Sequence, residues 1–267
     1  MLEVTLATLY RRQAVEILGT FAVKDVSEYE PAPRDEPSAY PGLRPDWSYL
    51  LHDMKVHELR VFGKVWESQL TFGDKTRVLQ EVLAEIGMPP LQEWFCILAY
   101  GSNACPAQLV HKEKAIMTAV VVKTRLFDVL PVYAGYVTKG GKGYVPATLA
   151  RAKGQEIETF ITLIRKDDLA KMDSSEGRPQ VYQLAEVNEG KLFLENGKEI
   201  KPIYAYITTD TKGLFLHEGQ IMPLHEVPQA KVCEWLKKEK LSHSETSKWL
   251  TMTHLMGPPP KTFEQMF

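Results

Sequence analysis

FCILAYGSNACPAQL, residues 95–109, is the stretch from which the rest of the chain can be read. Phe95–Ala99 is short, apolar and rich in strand formers, the pattern of a strand buried on both faces, which predicts a central place in a sheet. Tyr100-Gly101-Ser102-Asn103 follows. Glycine tolerates unusual torsions and close approach to the main chain, and Ser102 and Asn103 add short hydroxyl and amide groups beside backbone amides. Pro106 suits the first position of a helix, which makes Cys105 its N-cap and points the helix N-terminus back at the turn. A strand, a Gly-Ser-Asn turn and a helix also satisfy the local hydrogen bonding of an ordinary tight turn, so a second signal is needed.

That signal is DDLAKMDSSEG, residues 167–177, with Tyr182 shortly after it. A Tyr-Gly-Ser-Asn turn, then a helix ending in Met-Asp-x-x-Glu-Gly and a Tyr-bearing strand, resembles the γ-glutamyl cyclotransferase-like (AIG2-like) family over residues 95–207. The resemblance implies an α+β fold: a mixed, mostly antiparallel barrel-like sheet with flanking helices, here extended at both ends. It implies Tyr100, Gly101, Ser102 and Asn103 as a substrate-binding loop, Tyr182 facing the same pocket, and Glu176 as the general acid/base. The implied reaction cleaves a γ-glutamyl amide by attack of its own α-amine, releasing 5-oxoproline and a free amine. One carboxylate serves both proton transfers, and holding the substrate's α-carboxylate on the 101–103 amides supplies the orientation that an intramolecular closure needs. Neither a metal nor an organic cofactor is required, and the expected partner is a small γ-glutamyl compound.

Composition bounds the alternatives. Basic and acidic residues number 32 and 34, with no Lys/Arg cluster, so nothing points to nucleic acid. No run approaches a membrane span, and the N-terminus lacks a leader pattern. Three cysteines, Cys96, Cys105 and Cys233, form neither a disulfide framework nor a metal-ligand spacing; a cytoplasmic protein is expected.

The expected organisation is an N-terminal extension over 1–90 packing on the core, the cyclotransferase-like region over 91–210, and a helical extension over 211–267. Within the first part, residues 4–26 mix strand and helix signals, the proline-spaced 30–46 predicts a loop or linker, and 57–70 alternates like a strand. Asp74 is expected to cap a helix over 75–86, ended by Gly87. Strands are expected over 115–125, 129–145, 157–164, 181–187, 191–194 and 198–207, with Asn196-Gly197 as a type I′ turn. Lys139 to Gly143 lacks the spacing of a phosphate loop and predicts a solvated turn without chemistry. Pro146-Ala147-Thr148-Leu149 fits a pocket-lining strand. Asp167 is expected to cap the helix leading to Glu176. Residues 213–223 predict a loop, and 229–240 and 244–255 predict helices, the first with Val232, Cys233 and Leu236 inward.

Two rivals remain. Cys105 at a helix N-terminus could be a nucleophile of lowered pKa, but His111 falls on another face of that helix, so another histidine would have to serve as base. Alternatively the pocket holds an amino-acid-like ligand without turnover, as a binding or regulatory module. Ala104, and the ETFITLI strand before the second motif, depart from the family pattern and permit this.

Overall fold

The computed structural model describes residues 21–111, 116–139, 142–238 and 243–266; the sequence expectations over 4–20, 115, 140–141 and 239–240, and that for the Leu236 side chain, lie outside what it describes. Sixteen strands are described. Val23–Asp25 (β1), Ser48–His52 (β2) and Lys55–Leu59 (β3) precede the hairpin Gln69–Phe72 (β4) and Lys75–Val78 (β5), and Phe95–Ala99 (β6) follows. Thr118–Tyr133 (β7) and Ala147–Ile164 (β8) are long, and Tyr182–Val187 (β9), Lys191–Leu194 (β10), Glu199–Ile200 (β11) and Ile203–Thr208 (β12) come next. Leu214–His217 (β13), Gln220–Ile221 (β14), His243–Ser244 (β15) and Met252–His254 (β16) complete the set. The described helices are Leu79–Glu85 (α1), Pro106–His111 (α2), Leu169–Ser175 (α3) and Gln229–Lys238 (α4).

The molecule is α+β around one large, mostly antiparallel sheet of order β1-β3-β2-β7-β8-β6-β12-β9-β16, with β10 and β11 branching from β7. Its path stays open between β1 and β16, so no closed barrel forms among the described residues. β6 lies inside the sheet between β8 and β12, and all five of its residues are buried. Strand alternation sorts the core into two faces. Cys96, Leu98, Val120, Val122, Ile161 and Leu163 pack with Leu79, Val82 and Leu83 of α1, while Phe95, Ile97, Ala99, Val121 and Phe160 pack with Leu109 of α2 and Met172 of α3. β6 and β12 pair in parallel, Leu98 opposite Ala205, which brings their C-terminal ends to the same edge of the core.

Several local expectations give way to turn chemistry. Gly73-Asp74 is the two-residue turn of the β4–β5 hairpin, with Gly73 at φ +65°, so Asp74 caps nothing and α1 starts at Leu79. Residues 57–70 split into the end of β3, a short 3-10 turn Val65–Glu67 and the start of β4. Gly197, at φ +81°, is left-handed while Asn196 is not, so this turn is not type I′. Both residues of Asp53-Met54 take positive φ in the two-residue β2–β3 turn, without a glycine to announce it. β7 and β8 form one long ribbon, interrupted by a register shift at Asp128, in place of the separate strands expected around it. Residues 214–221 form a hairpin where a loop was expected. In 244–255 a helix is replaced by a 3-10 turn, Thr246–Lys248, and the edge strand β16 pairing with β9.

Candidate functional site

A cavity of about 600 Å³ opens where β6 ends, lined by Tyr100, Gly101, Ser102, Asn103, Glu176 and Tyr182. All six residues singled out from sequence therefore share one wall system. Its volume falls in the range of small-molecule pockets.

Glu176 is held by the end of its helix. Gly177 donates its amide to Ser174 O at 3.1 Å and Arg178 donates to Asp173 O at 3.1 Å, the paired bonds of a Schellman ending, with Glu176 as C-cap. Gly177 sits at φ +63°, and a Cβ there would meet Val181 Cγ2 at 3.0 Å, so glycine is needed for both torsion and space. Asn103 Nδ2 donates to Glu176 Oε1 at 3.1 Å, joining the two motifs directly. On the start side of the helix, Asp168 and not Asp167 occupies the N-cap; its buried carboxylate pairs with Arg165 and Lys171 instead of capping.

A side-chain bridge reinforces this end. Asp173 accepts from Tyr206 Oη at 2.7 Å and from Arg178 Nη1 at 2.9 Å. Arg178 Nη2 in turn donates to the main-chain oxygens of Leu255 and Gly257. The helix carrying Glu176 is thus tied both to β12 and to the segment after β16.

Tyrosines make much of the remaining surface. Tyr182 donates to Ala147 O at 2.6 Å, Tyr100 donates to Tyr206 O, and Ala147 N donates to Tyr40 Oη at 2.7 Å. Tyr40 stacks on Tyr144 with ring centroids 4.8 Å apart, and Tyr136 meets Tyr182 edge to face. Gly101 has φ −116°, outside the left-handed region; its role is spatial, because a Cβ would lie 2.7 Å from Tyr40 Oη. A substituent there is directed at Tyr40.

Burial raises the tyrosine pKa values well above the ordinary range at Tyr40, Tyr100 and Tyr182. Tyr144 is pushed up to about 12 by burial and then by the Glu176 charge, against a hydrogen bond with Ser102. These phenols stay neutral near pH 7 and serve as hydrogen-bonding groups, not bases. Glu176 is the one carboxylate among the described lining residues, which include no histidine or cysteine, while Arg34, Lys139 and Lys212 supply positive charge.

The thiol rival fails on chemistry. Cys105 is fully buried and absent from the cavity lining. Burial pushes its thiol up, although hydrogen bonds from the Gln108 and Ala107 amides and nearby Arg44 pull the other way. The sulfur caps the short helix α2. Cys96 is likewise buried and pushed above the ordinary thiol range. Among the described residues, no three His, Cys, Asp or Glu side chains cluster as metal ligands, and no helix is long and apolar enough to cross a membrane.

Sequence reasoning missed Arg34, Tyr40, Gln108, Tyr136, Lys139, Tyr144 and Lys212, all of which line the cavity. The proline-spaced 30–46 is an ordered segment that carries Tyr40 into the site, and Ala32 on it is also buried. A tyrosine standing among prolines, charges and small residues was the available signal. Lys139, assigned no chemistry with its glycine-rich neighbours, reaches the rim.

No family model and no curated protein matches the chain. Among solved structures, the chain is similar to a γ-glutamyl cyclotransferase, at 24% identity over 44% of this chain and 68% of that one, with a TM-score of 0.36. It is also similar to an uncharacterized protein from Homo sapiens, at 25% identity over the same shares, with a TM-score of 0.35.

Proposed function

We propose that the chain is a cyclotransferase acting on γ-glutamyl amides. The observation that carries this is the hydrogen bond from Asn103 to Glu176, which puts a short polar turn and a single carboxylate at one cavity of substrate size. In this reaction the α-nitrogen attacks the γ-carbonyl carbon, forming the lactam N–C bond, and the C–N bond to the leaving amine breaks. Two protons pass from the α-ammonium to the leaving nitrogen, so the products are 5-oxoproline and a protonated amine. Glu176 takes a proton from the α-nitrogen and returns it to the leaving nitrogen. Asn103 orients the carboxylate, the 101–103 main chain anchors the α-carboxylate, and the neutral tyrosines enclose the substrate carbons. Orientation supplies a large share of the acceleration in such a closure.

In this proposal residues 91–210 hold the reacting groups, and 1–90 and 211–267 are extensions that complete the cavity with Arg34, Tyr40 and Lys212. The test is a screen of γ-glutamyl amino acids, peptides and amines for release of 5-oxoproline. Release by the wild type and its loss in Glu176→Gln support the proposal. Ligands that bind in calorimetry and are never converted would assign the pocket to a binding module.

A further inference from the structure

The lining of the cavity is unbalanced in charge. Among the described residues it holds Arg34, Lys139 and Lys212 against Glu176 alone, an excess of two positive charges near pH 7. The acidic side chains flanking Arg34 in the chain are turned elsewhere and do not line the cavity. Glu36 Oε2 lies 3.7 Å from Lys142 Nζ, and Glu30 and Asp35 lie 3.9 and 3.7 Å from His111 Nε2. The cations follow one edge of the mouth. Thr138 N donates to Tyr144 O at 2.8 Å and Tyr144 N to Thr138 Oγ1 at 3.0 Å, which holds Tyr136, Lys139 and Tyr144 along that edge. At one end Lys212 lies 5.7 Å from the Tyr136 ring. At the other, Arg34 O accepts from Lys142 N at 3.3 Å and the Arg34 charge acts on the Tyr144 hydroxyl. Arg34 and Lys212 are half-buried and Lys139 is exposed, so a ligand in the mouth can reach all three.

The γ-glutamyl moiety does not use this excess. Its α-ammonium and α-carboxylate cancel, the first facing Glu176 and the second the 101–103 amides, so the surplus falls to whatever is attached beyond the scissile amide. Resting on the cyclotransferase proposal, we infer that the leaving portion of the substrate bears two negative charges, as an amino dicarboxylate does, and that Arg34, Lys139 and Lys212 form its subsite. Two carboxylates neutralise the lining. One leaves a positive charge uncompensated, and a neutral amine leaves both, with like charges repelling across a partly desolvated mouth. The carbon stem of the leaving portion meets apolar surface on the same edge, where Tyr136 and the exposed Val137 stand next to Lys139. The subsite thus selects by charge at the mouth, while Glu176 and the 101–103 turn act on the γ-glutamyl end.

The test compares 5-oxoproline release from γ-glutamyl-glutamate with release from γ-glutamyl-glutamine, which has the same length and one negative charge fewer, and from γ-glutamyl methylamide, whose leaving portion has none. At low ionic strength the wild type should prefer the glutamate compound over the glutamine compound by about tenfold in kcat/KM, mainly through KM. The methylamide should rank below both, and the preference should shrink as salt is added. Lys139→Gln/Lys212→Gln should bring it to within about threefold. Lys139→Glu, at an exposed position, should narrow it as well and serves if the double variant fails to fold. A wild type without preference, or with the order reversed, overturns the inference. So does a preference unchanged by salt and by the variants, since shape then carries it. Calorimetry with the same three compounds reads the discrimination without turnover. A wild type that binds γ-glutamyl-glutamate selectively and salt-dependently, yet releases no 5-oxoproline, overturns the reaction and leaves the anionic subsite standing; absence of binding by all three overturns both.

Discussion

On the floor of the cavity, Tyr182 and Tyr100 give their hydroxyl protons to main-chain oxygens and Tyr40 takes the Ala147 amide, whereas on the wall Glu176 accepts from the Asn103 side-chain amide of the facing turn. The floor groups are neutral and buried, and their bonds join β8, β12 and the 30–46 segment. The wall group sits on a helix end and is ionisable. The difference separates two functions for polar atoms at one cavity: the tyrosines hold strands and loop in register, and the carboxylate moves protons. Residues that look alike as pocket-lining positions should then fail in different ways when changed.

The sharpest break comes at the wall. Glu176→Gln should lower kcat by about 10²–10⁴-fold, with Kd for substrate and Tm nearly unchanged, because the amide keeps the shape and loses the exchangeable proton. Steady-state rates beside calorimetry measure this; a Gln protein with wild-type kcat removes Glu176 as acid/base.

Next in size is Gly101→Ala, where the new methyl lies 2.7 Å from Tyr40 Oη. Overpacking of this kind costs about 1–3 kcal/mol, and the Tyr40 displacement should weaken ligand binding as well. Adding Tyr40→Phe removes the colliding oxygen, so the double variant should be more stable than the sum of the two single effects. Additive thermal denaturation data would mean that the methyl is accommodated elsewhere.

Tyr182→Phe tests the floor alone. Loss of its hydrogen bond to Ala147 O should cost about 1 kcal/mol and a few degrees of Tm while kcat stays within about threefold. A fall of about a hundredfold in kcat at constant Tm would place this hydroxyl in the proton transfer and erase the distinction between floor and wall.

The smallest effect is expected at the rim, where Lys212 lies 5.7 Å from the Tyr136 ring. Lys212→Gln should raise KM for an anionic γ-glutamyl substrate about two- to threefold at low ionic strength, an effect that weakens as salt screens this half-buried charge. A salt-independent rise would indicate a direct contact with the substrate.

Much of this contrast was legible in the residues. The apolar run Phe95–Ala99 has the length and residue types of a buried strand, and Glu176-Gly177 marked a helix ending, since glycine is what the left-handed C′ position selects. The family resemblance carried by the two motifs then brought Asn103 and Glu176 together in expectation. Less legible were features set by tertiary partners. Asp53-Met54 takes a turn that sequence propensity gives to Asn-Gly, because the pairing of β2 with β3 fixes its length. Thr251 to Leu255 becomes an edge strand and its flank since β9 offers free pairing, and Asp74 loses its capping role to the hairpin beside it. Tyr40 was hidden for a similar reason: nothing local tells a proline-spaced surface segment from one that folds over a cavity.

The bridge from Asp173 through Arg178 to Leu255 O and Gly257 O carries a consequence in time. Arg178 and those two oxygens are separated by 77 and 79 positions along the chain. At ribosomal rates of about 5–20 residues per second, the anchors reach Arg178 on the order of ten seconds after the helix end itself has been made. A growing chain therefore carries Glu176 in a turn without its outer tether, and the finished geometry of the carboxylate waits for one of the last segments described to leave the ribosome.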